Sequence, residues 1–224
     1  MMNRIAVLIP SRDRPEKLLK ACRSVLATSN LADVLVYVDE DQRELYESGL
    51  TGAGFGPRVK ALYAARIGPV AAANSLVDEN PSYAAYGLIT DDTTIKTETW
   101  GWDAWLLETL DFFPRRLAVV SPRHNLGEHV DMPFVSWEWI DCVGWYACPE
   151  FYHYCWPILT GLIGEMTAIV HAPEQSFAIH HEGLPHTNLA SRDDDAKKFF
   201  EYVALKMPVH VEALRDAMKP EVVT

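Results

Sequence analysis

Residues 85–94 read Ala85-Tyr86-Gly87-Leu88-Ile89-Thr90-Asp91-Asp92-Thr93-Thr94, an apolar run that ends in two adjacent carboxylates. Runs of this length and composition form strands buried on both faces. Within a chain of alternating strands and helices, the acids then fall at the carboxyl edge of the sheet, where open α/β sheets bind ligands. Asp91 and Asp92 offer hard oxygen ligands, the kind that Mg²⁺ and Mn²⁺ select and share with phosphates.

Working outward, the same pattern recurs toward the N-terminus. Ile5-Ala6-Val7-Leu8-Ile9 is a continuous apolar run stopped by Pro10. Asp13, Pro15 and Glu16 signal a helix start, and Leu18, Leu19, Cys22, Val25 and Leu26 recur at helical spacing. Val34-Leu35-Val36-Tyr37-Val38 is a second buried strand, running into Asp39-Glu40-Asp41. Gly49, Gly52, Gly54 and Gly56 then suggest a loop, residues 58–63 a weaker third strand, and Pro69 a helix over 69–79. With a fourth strand at 85–89, this cadence predicts a mostly parallel sheet flanked by helices.

The pattern changes near residue 99. The spacing predicts a helix over 99–112, a strand over 117–120, and a helix starting at Pro149 and Glu150 and running toward Gly164. Residues 167–171 and 176–180 read as short strands, and Ser191 as the cap of a last helix with Asp193, Asp194 and Asp195 in its first turn. Residues 134–156 hold four of the seven tryptophans. No linker or internal repeat divides the chain. We read residues 1–224 as one α/β domain, with a sheet half over 1–98 and an α+β half over 99–224.

The composition is that of a globular domain. The 224 residues are 49% hydrophobic and 23% charged, with a formal net charge of −11. That balance argues against a broad nucleic-acid clamp, although Arg12, Arg14, Lys17, Lys20 and Arg23 cluster near the N-terminus. Those five suit a solvated helix face as well as a phosphate-facing one. The four cysteines have no CxxC spacing, which reads as reduced thiols rather than a zinc site. No apolar segment reaches the roughly 18 residues of a membrane span, and no signal-peptide pattern is present. The expected location is cytoplasmic, without a membrane anchor.

Four stretches, in this order, resemble a small GT-A-fold glycosyltransferase of the family-two type. They are Ile5 to Pro15, Val34 to Asp39, Gly68-Pro69-Val70-Ala71-Ala72-Ala73-Asn74, and Leu88 to Thr93. The resemblance covers about half of the chain and implies a Rossmann-like sheet and a nucleotide-sugar donor, most simply UDP-linked, with Mn²⁺ or Mg²⁺. It implies that Asp92 ligates the metal directly, and that Asp91 contacts metal or ribose. It also implies a nucleotide site built from Pro10, Ser11, Arg12, Asp39, Arg66 and Asn74. A late histidine completes the metal shell in that family, and His181, His180 or the later His186 could fill this place. The family's Asp-x-Asp is Asp91-Asp92-Thr93 here.

The inverting members carry a general base, often in a Glu-Asp pair, at a helix start after the acceptor loop. Glu150 is the nearest equivalent, with Asp141 and Glu138 behind it. The missing pair leaves inverting and retaining chemistry both open. Trp102 and Asp103 follow the acidic motif and could face the sugar, since aromatic rings suit sugar faces; Trp102 and Trp105 at i, i+3 also fit a helix core. The acceptor is open among a glycan, a protein and a modified nucleobase. Three other readings compete: a non-catalytic nucleotide- or sugar-binding module, a sugar-phosphate nucleotidyltransferase, and a metal-dependent hydrolase. The nucleotidyltransferase lacks its expected glycine-rich loop after the first strand, and the hydrolase its HxH or HExxH spacing.

Overall fold

Four parallel strands carry the fold, and their sequences explain why. The computed structural model describes residues 3–124, 131–171, 177–181 and 189–220. Strand β1 (Ile5–Ser11) is followed by α1 (Pro15–Thr28), β2 (Ala32–Asp39), α2 (Arg43–Gly52), β3 (Val59–Ala64), α3 (Pro69–Asp78) and β4 (Ala85–Leu88). β1 pairs in parallel with β2 from Ile5↔Ala32 to Ser11↔Val38, and with β4 from Ile5↔Ala85 to Leu8↔Leu88. Alternate β1 side chains feed two cores on opposite faces. Ala6 and Leu8 pack with α3, while Ile5, Val7 and Ile9 pack with Leu18, Cys22 and Val25 of α1.

The remaining elements are β5 (Thr93–Ile95), α4 (Trp102–Leu110), β6 (Val119–Val120), β7 (Arg123–His124), β8 (Phe134–Ser136), α5 (Trp137–Val143), α6 (Trp156–Thr167), β9 (Val170–His171), β10 (Ala178–His181), α7 (Leu189–Leu205) and α8 (Met207–Ala217). The main sheet runs β3-β2-β1-β4-β8-β6-β9, and β5-β10-β7 form a small second sheet. β8 is antiparallel to both neighbours, so the sheet is mostly parallel on one side and mixed on the other. The β4–β8 contact depends on Gly87: a Cβ there would lie 2.3 Å from the Phe134 ring. The core on the α3 face contains residues from Ala6 to Leu214, so it joins both halves of the sequence.

Several boundaries differ from the sequence reading. Gly49 and Gly52 lie in α2, because buried Tyr46 docks that turn of helix against the sheet. The helix expected over 99–112 is confined to Trp102–Leu110, opening at Gly101 with φ 85°. Pro149 and Glu150 do not start a helix. α6 begins at Trp156 and takes Pro157 into its first turn, where a missing N–H costs nothing. Ser191 lies inside α7, two residues past its start, and Pro208 opens α8 in the same way as Pro157 opens α6. Among the described residues no helix is long and apolar enough to cross a membrane.

Candidate donor site

The sheet order reverses at β1, with β2 on one side and β4 on the other. A ligand crevice is expected outside the carboxyl ends at such a point. The ends that meet there are Ser11, Asp39 and the turn after β4 that holds Asp91 and Asp92. A cleft of about 240 Å³ opens beside them, lined by residues 10–12 and 14, Tyr37, Asp39, Arg66, residues 68–69, Ala72, Tyr152 and His153.

The acidic pair is buried, and a hydrogen-bonded chain fixes it. The Arg14 backbone N–H donates to Tyr46 Oη at 2.9 Å, and Tyr46 Oη lies 2.9 Å from Ser11 Oγ. Ser11 Oγ donates to Asp91 Oδ2 at 2.7 Å. Thr90 Oγ1 donates to Asp92 Oδ1 at 2.6 Å. The Arg14 guanidinium spans both acids, 2.7 Å from Asp91 Oδ1 and 2.9 Å from Asp92 Oδ2. The first of these contacts is an ion pair without hydrogen-bond alignment, so Asp91 Oδ1 is a buried oxygen with no hydrogen bond. Burial pushes the Asp91 carboxyl up to about 6, Ser11 and Arg14 pull it back down, and Asp92 adds to the rise.

At the other end of the cleft, Arg12 Nη1 donates to Asp39 Oδ2 at 2.6 Å, and its fork also grips Asp41. That grip holds the Asp41 carboxyl below its ordinary range. Arg66 is mostly exposed, with Nε 4.0 Å from Asp39. Pro10, Ser11, Arg12, Asp39 and Arg66 therefore gather in one cleft, and Ser11 and Arg14 tie Asp91 and Asp92 to it.

Asn74 does not join them. Its side chain accepts from the Tyr146 and Ala147 N–H groups and donates to the Ala147 carbonyl, clamping the second half of the chain onto α3. Trp102 is a core residue: its Nε1 donates to Thr28 Oγ1, and its ring meets Phe134 and Phe177. Asp103 is buried too, and accepts from the Asn30 and Leu31 N–H groups at the turn into β2. These two side chains are spent on packing and turn closure, so neither faces a sugar. Asp141 is exposed on α5. Glu150 pairs with Lys206 Nζ at 2.6 Å and lines a separate small cavity beside α7. Neither Asp141 nor Glu150 lines the cleft.

The histidine strand runs past the acidic turn. β10 is antiparallel to β5, with His181 opposite Thr93 and His180 opposite Thr94. Ile179 is buried and His180 is partly exposed. The His181 side chain and all of His186 lie outside the described residues. Among the described residues no cluster of three or more His, Cys, Asp or Glu side chains could hold a metal. Asp91 and Asp92 supply hard oxygen donors, and Asp91 Oδ1, buried without a hydrogen bond, already faces a cation, the Arg14 guanidinium at 2.7 Å, which is the chemistry of a cation ligand.

Sequence reasoning missed four contributors. Arg14 was visible only as part of a basic cluster, and Tyr46 lay in a stretch read as loop. Tyr152 and His153 arrive from residue 150 onward, where the expected helix is replaced by a turn. That turn is fixed by Asp195, whose fully buried carboxylate accepts from Tyr152 N (2.9 Å), His153 N (2.9 Å) and Tyr154 N (2.7 Å). Gly68, at φ 85°, lets the Tyr152 ring close over the start of α3; a Cβ there would sit 2.5 Å from that ring.

Comparison with solved structures assigns the fold to a class. The chain superposes on S. aureus TarS 1–349 in complex with UDP-GlcNAc with a TM-score of 0.64 at 12% identity, covering 92% of this chain and 66% of that one. It superposes on the mannosyltransferase PcManGT from Pyrobaculum calidifontis, in complex with GDP-Man and Mn²⁺, with a TM-score of 0.65 at 11% identity, covering 97% and 74%. A mycobacterial protein matches at 0.61 and 13% identity, covering 88% and 73%. The fold is that of the GT-A glycosyltransferases. No family model and no curated protein matches the sequence.

Proposed function

We propose that the chain is a metal-dependent glycosyltransferase that moves a sugar from a nucleotide-sugar, UDP-linked in the simplest case, to an acceptor hydroxyl. One observation carries this reading. Ser11 and Asp39 line a cleft at the sheet's carboxyl edge together with Arg12, Arg14 and Arg66, and Ser11 and Arg14 tie the buried Asp91 and Asp92 to it. Acids and arginines together at such an edge suit a ligand that is both anionic and metal-bound.

Roles follow from placement. Asp39, held by Arg12, would accept hydrogen bonds from base or ribose. Asp91 and Asp92 would hold Mn²⁺ or Mg²⁺, with a histidine of β10 as a further ligand, and such an ion neutralises charge on a diphosphate leaving group. The Tyr46–Ser11 chain fixes the Asp91 carboxylate before ligand arrives, so that no reorganisation is needed on binding. Arg14 and Arg66 add positive charge along the diphosphate path, and the first turn of α3 presents its positive dipole end to the same space. The acceptor class stays open among glycan, protein and modified nucleobase, and the same reading carries a cytoplasmic location.

Nucleotide diphosphate release from a panel of UDP- and GDP-sugars with Mn²⁺ tests the proposal. Turnover of a donor, lost with EDTA and in Asp92→Ala, is the expected result. A panel without turnover, and without nucleotide-dependent thermal stabilisation, would sink it.

A further inference from the structure

An inverting transfer to a hydroxyl needs a group that takes the acceptor's proton, and Glu150 and Asp141 do not line the cleft. The titratable side chains that do are few. Arg12, Arg14 and Arg66 carry guanidinium groups, which offer donors and no acceptor. Asp39 is engaged by Arg12. The Tyr37 hydroxyl donates to the Ala65 carbonyl, and burial raises its pKa further. Tyr152 is a phenol whose hydroxyl is a hydrogen-bond donor rather than a base. Among the described residues that line the cleft, the remaining titratable side chain is His153.

We propose that His153 is the proton acceptor of the transfer step, an inference that rests on the donor-site reading above. The residue lines the cleft together with Arg14 and Gly68. Its backbone N–H is fixed by Asp195, and its ring stacks on Tyr154 with centroids 4.3 Å apart and planes at 14°. The turn closes on Cys155, held at φ 66° in the left-handed region, a cost that surrounding contacts must sustain. Among the described residues no side chain hydrogen-bonds the imidazole nitrogens, which leaves them for a ligand. The ring is partly buried, and that burial lowers its pKa. Asp195 opposes the shift and Arg14 adds to it. The imidazole is therefore neutral at pH 7, the state that accepts a proton.

The step balances without another reactant. The acceptor O–H gives its proton to an imidazole nitrogen while the oxygen bonds to the anomeric carbon. The bond from that carbon to the diphosphate oxygen breaks, and its electron pair leaves with the nucleotide diphosphate. The imidazolium then returns the proton to solvent.

The experiment measures hydrolysis of UDP-GlcNAc and GDP-mannose, with water as acceptor and Mn²⁺ present, for wild type, His153→Ala and His153→Gln. UDP and GDP affinity is measured alongside. The expected result is a loss of roughly 10²-fold or more in the rate at saturating donor in both variants, well beyond any loss of nucleotide affinity from the trimmed cleft wall. Free imidazole in the buffer should restore part of the His153→Ala rate. At saturating Mn²⁺ the wild-type rate should fall on acidification more steeply than the rate of either variant, in which only the Asp91 carboxyl still titrates in that range. Wild-type rates in either variant would overturn the inference. So would a His153→Gln rate restored to normal, which would mean the ring only fills space. Nucleotide binding by the wild type without hydrolysis at any pH would overturn His153 as base and leave the donor site standing. No nucleotide binding at all would overturn both.

Discussion

Replacing Asp195 should both destabilise the protein and loosen the donor cleft. The carboxylate is fully buried and accepts three backbone N–H bonds, at 2.9, 2.9 and 2.7 Å, from consecutive residues. Hydrogen bonds to a charged group contribute about 1.5–3 kcal/mol each. Tyr152 is exposed, so water recovers part of the loss. The net cost of Asp195→Ala is then ~3 kcal/mol, equivalent to a Tm drop of roughly 6–12 °C for a chain of this size. Asp195→Asn keeps one oxygen and can serve two of the three donors, so about half that cost is expected. The exposed neighbours Asp193 and Asp194 are controls, with alanine effects within about 0.5 kcal/mol. Because Tyr152 and His153 wall the cleft, UDP affinity should fall about tenfold in Asp195→Ala, ~1.4 kcal/mol. Thermal unfolding and calorimetric titration with UDP read the two effects. A Tm equal to that of the controls, with UDP binding intact, would refute the clamp.

Gly68→Ala places a Cβ 2.5 Å from the Tyr152 ring at φ 85°; it should cost about 1–3 kcal/mol of strain and weaken UDP binding more than Ala72→Gly does, by calorimetry. Arg14→Gln removes the cation that spans Asp91 and Asp92. In EDTA it should lower stability by ~1 kcal/mol, a figure discounted for the partial exposure of Arg14, while Mn²⁺ affinity followed by electron paramagnetic resonance rises. The Asp91 carboxyl, pushed up to about 6 by burial, makes metal-free stability depend on pH. Its native pKa exceeds the unfolded value near 4, so the native state binds the proton more tightly in that window. Stability is therefore greatest below pH 4 for this group and is lost as pH rises through about 6. Relative to Asp91→Asn, wild type in EDTA should lose about 2 kcal/mol from pH 4 to 7 by denaturant unfolding; a flat difference would count against the burial argument.

The N-terminal half was legible because its strands are continuous apolar runs. β1, β2 and β4 end in Ser11, Asp39 and the Asp91–Asp92 turn, and a parallel sheet must gather those ends at one edge. The other half was less so. Trp102 and Asp103 followed the acidic motif closely, yet the Gly101 turn aims them inward, where Phe134, Phe177 and the Asn30–Leu31 N–H groups take them up. Helix spacing alone could not reveal that aim. Glu150 looked like a helix start because Pro149 precedes it, but Pro157 is the proline that enters a first turn. The Asp195 clamp joins residues more than 40 positions apart, a pairing that only the packing of α7 brings about.

Titration calorimetry of UDP and GDP into wild type and Asp92→Ala, with and without Mn²⁺, tests the central claim most directly. The account predicts that one nucleotide binds wild type at micromolar concentration with Mn²⁺, far more weakly in EDTA, and that Asp92→Ala loses the metal-dependent part. Binding unaffected by Mn²⁺ and by Asp92, or binding of neither nucleotide, would contradict it.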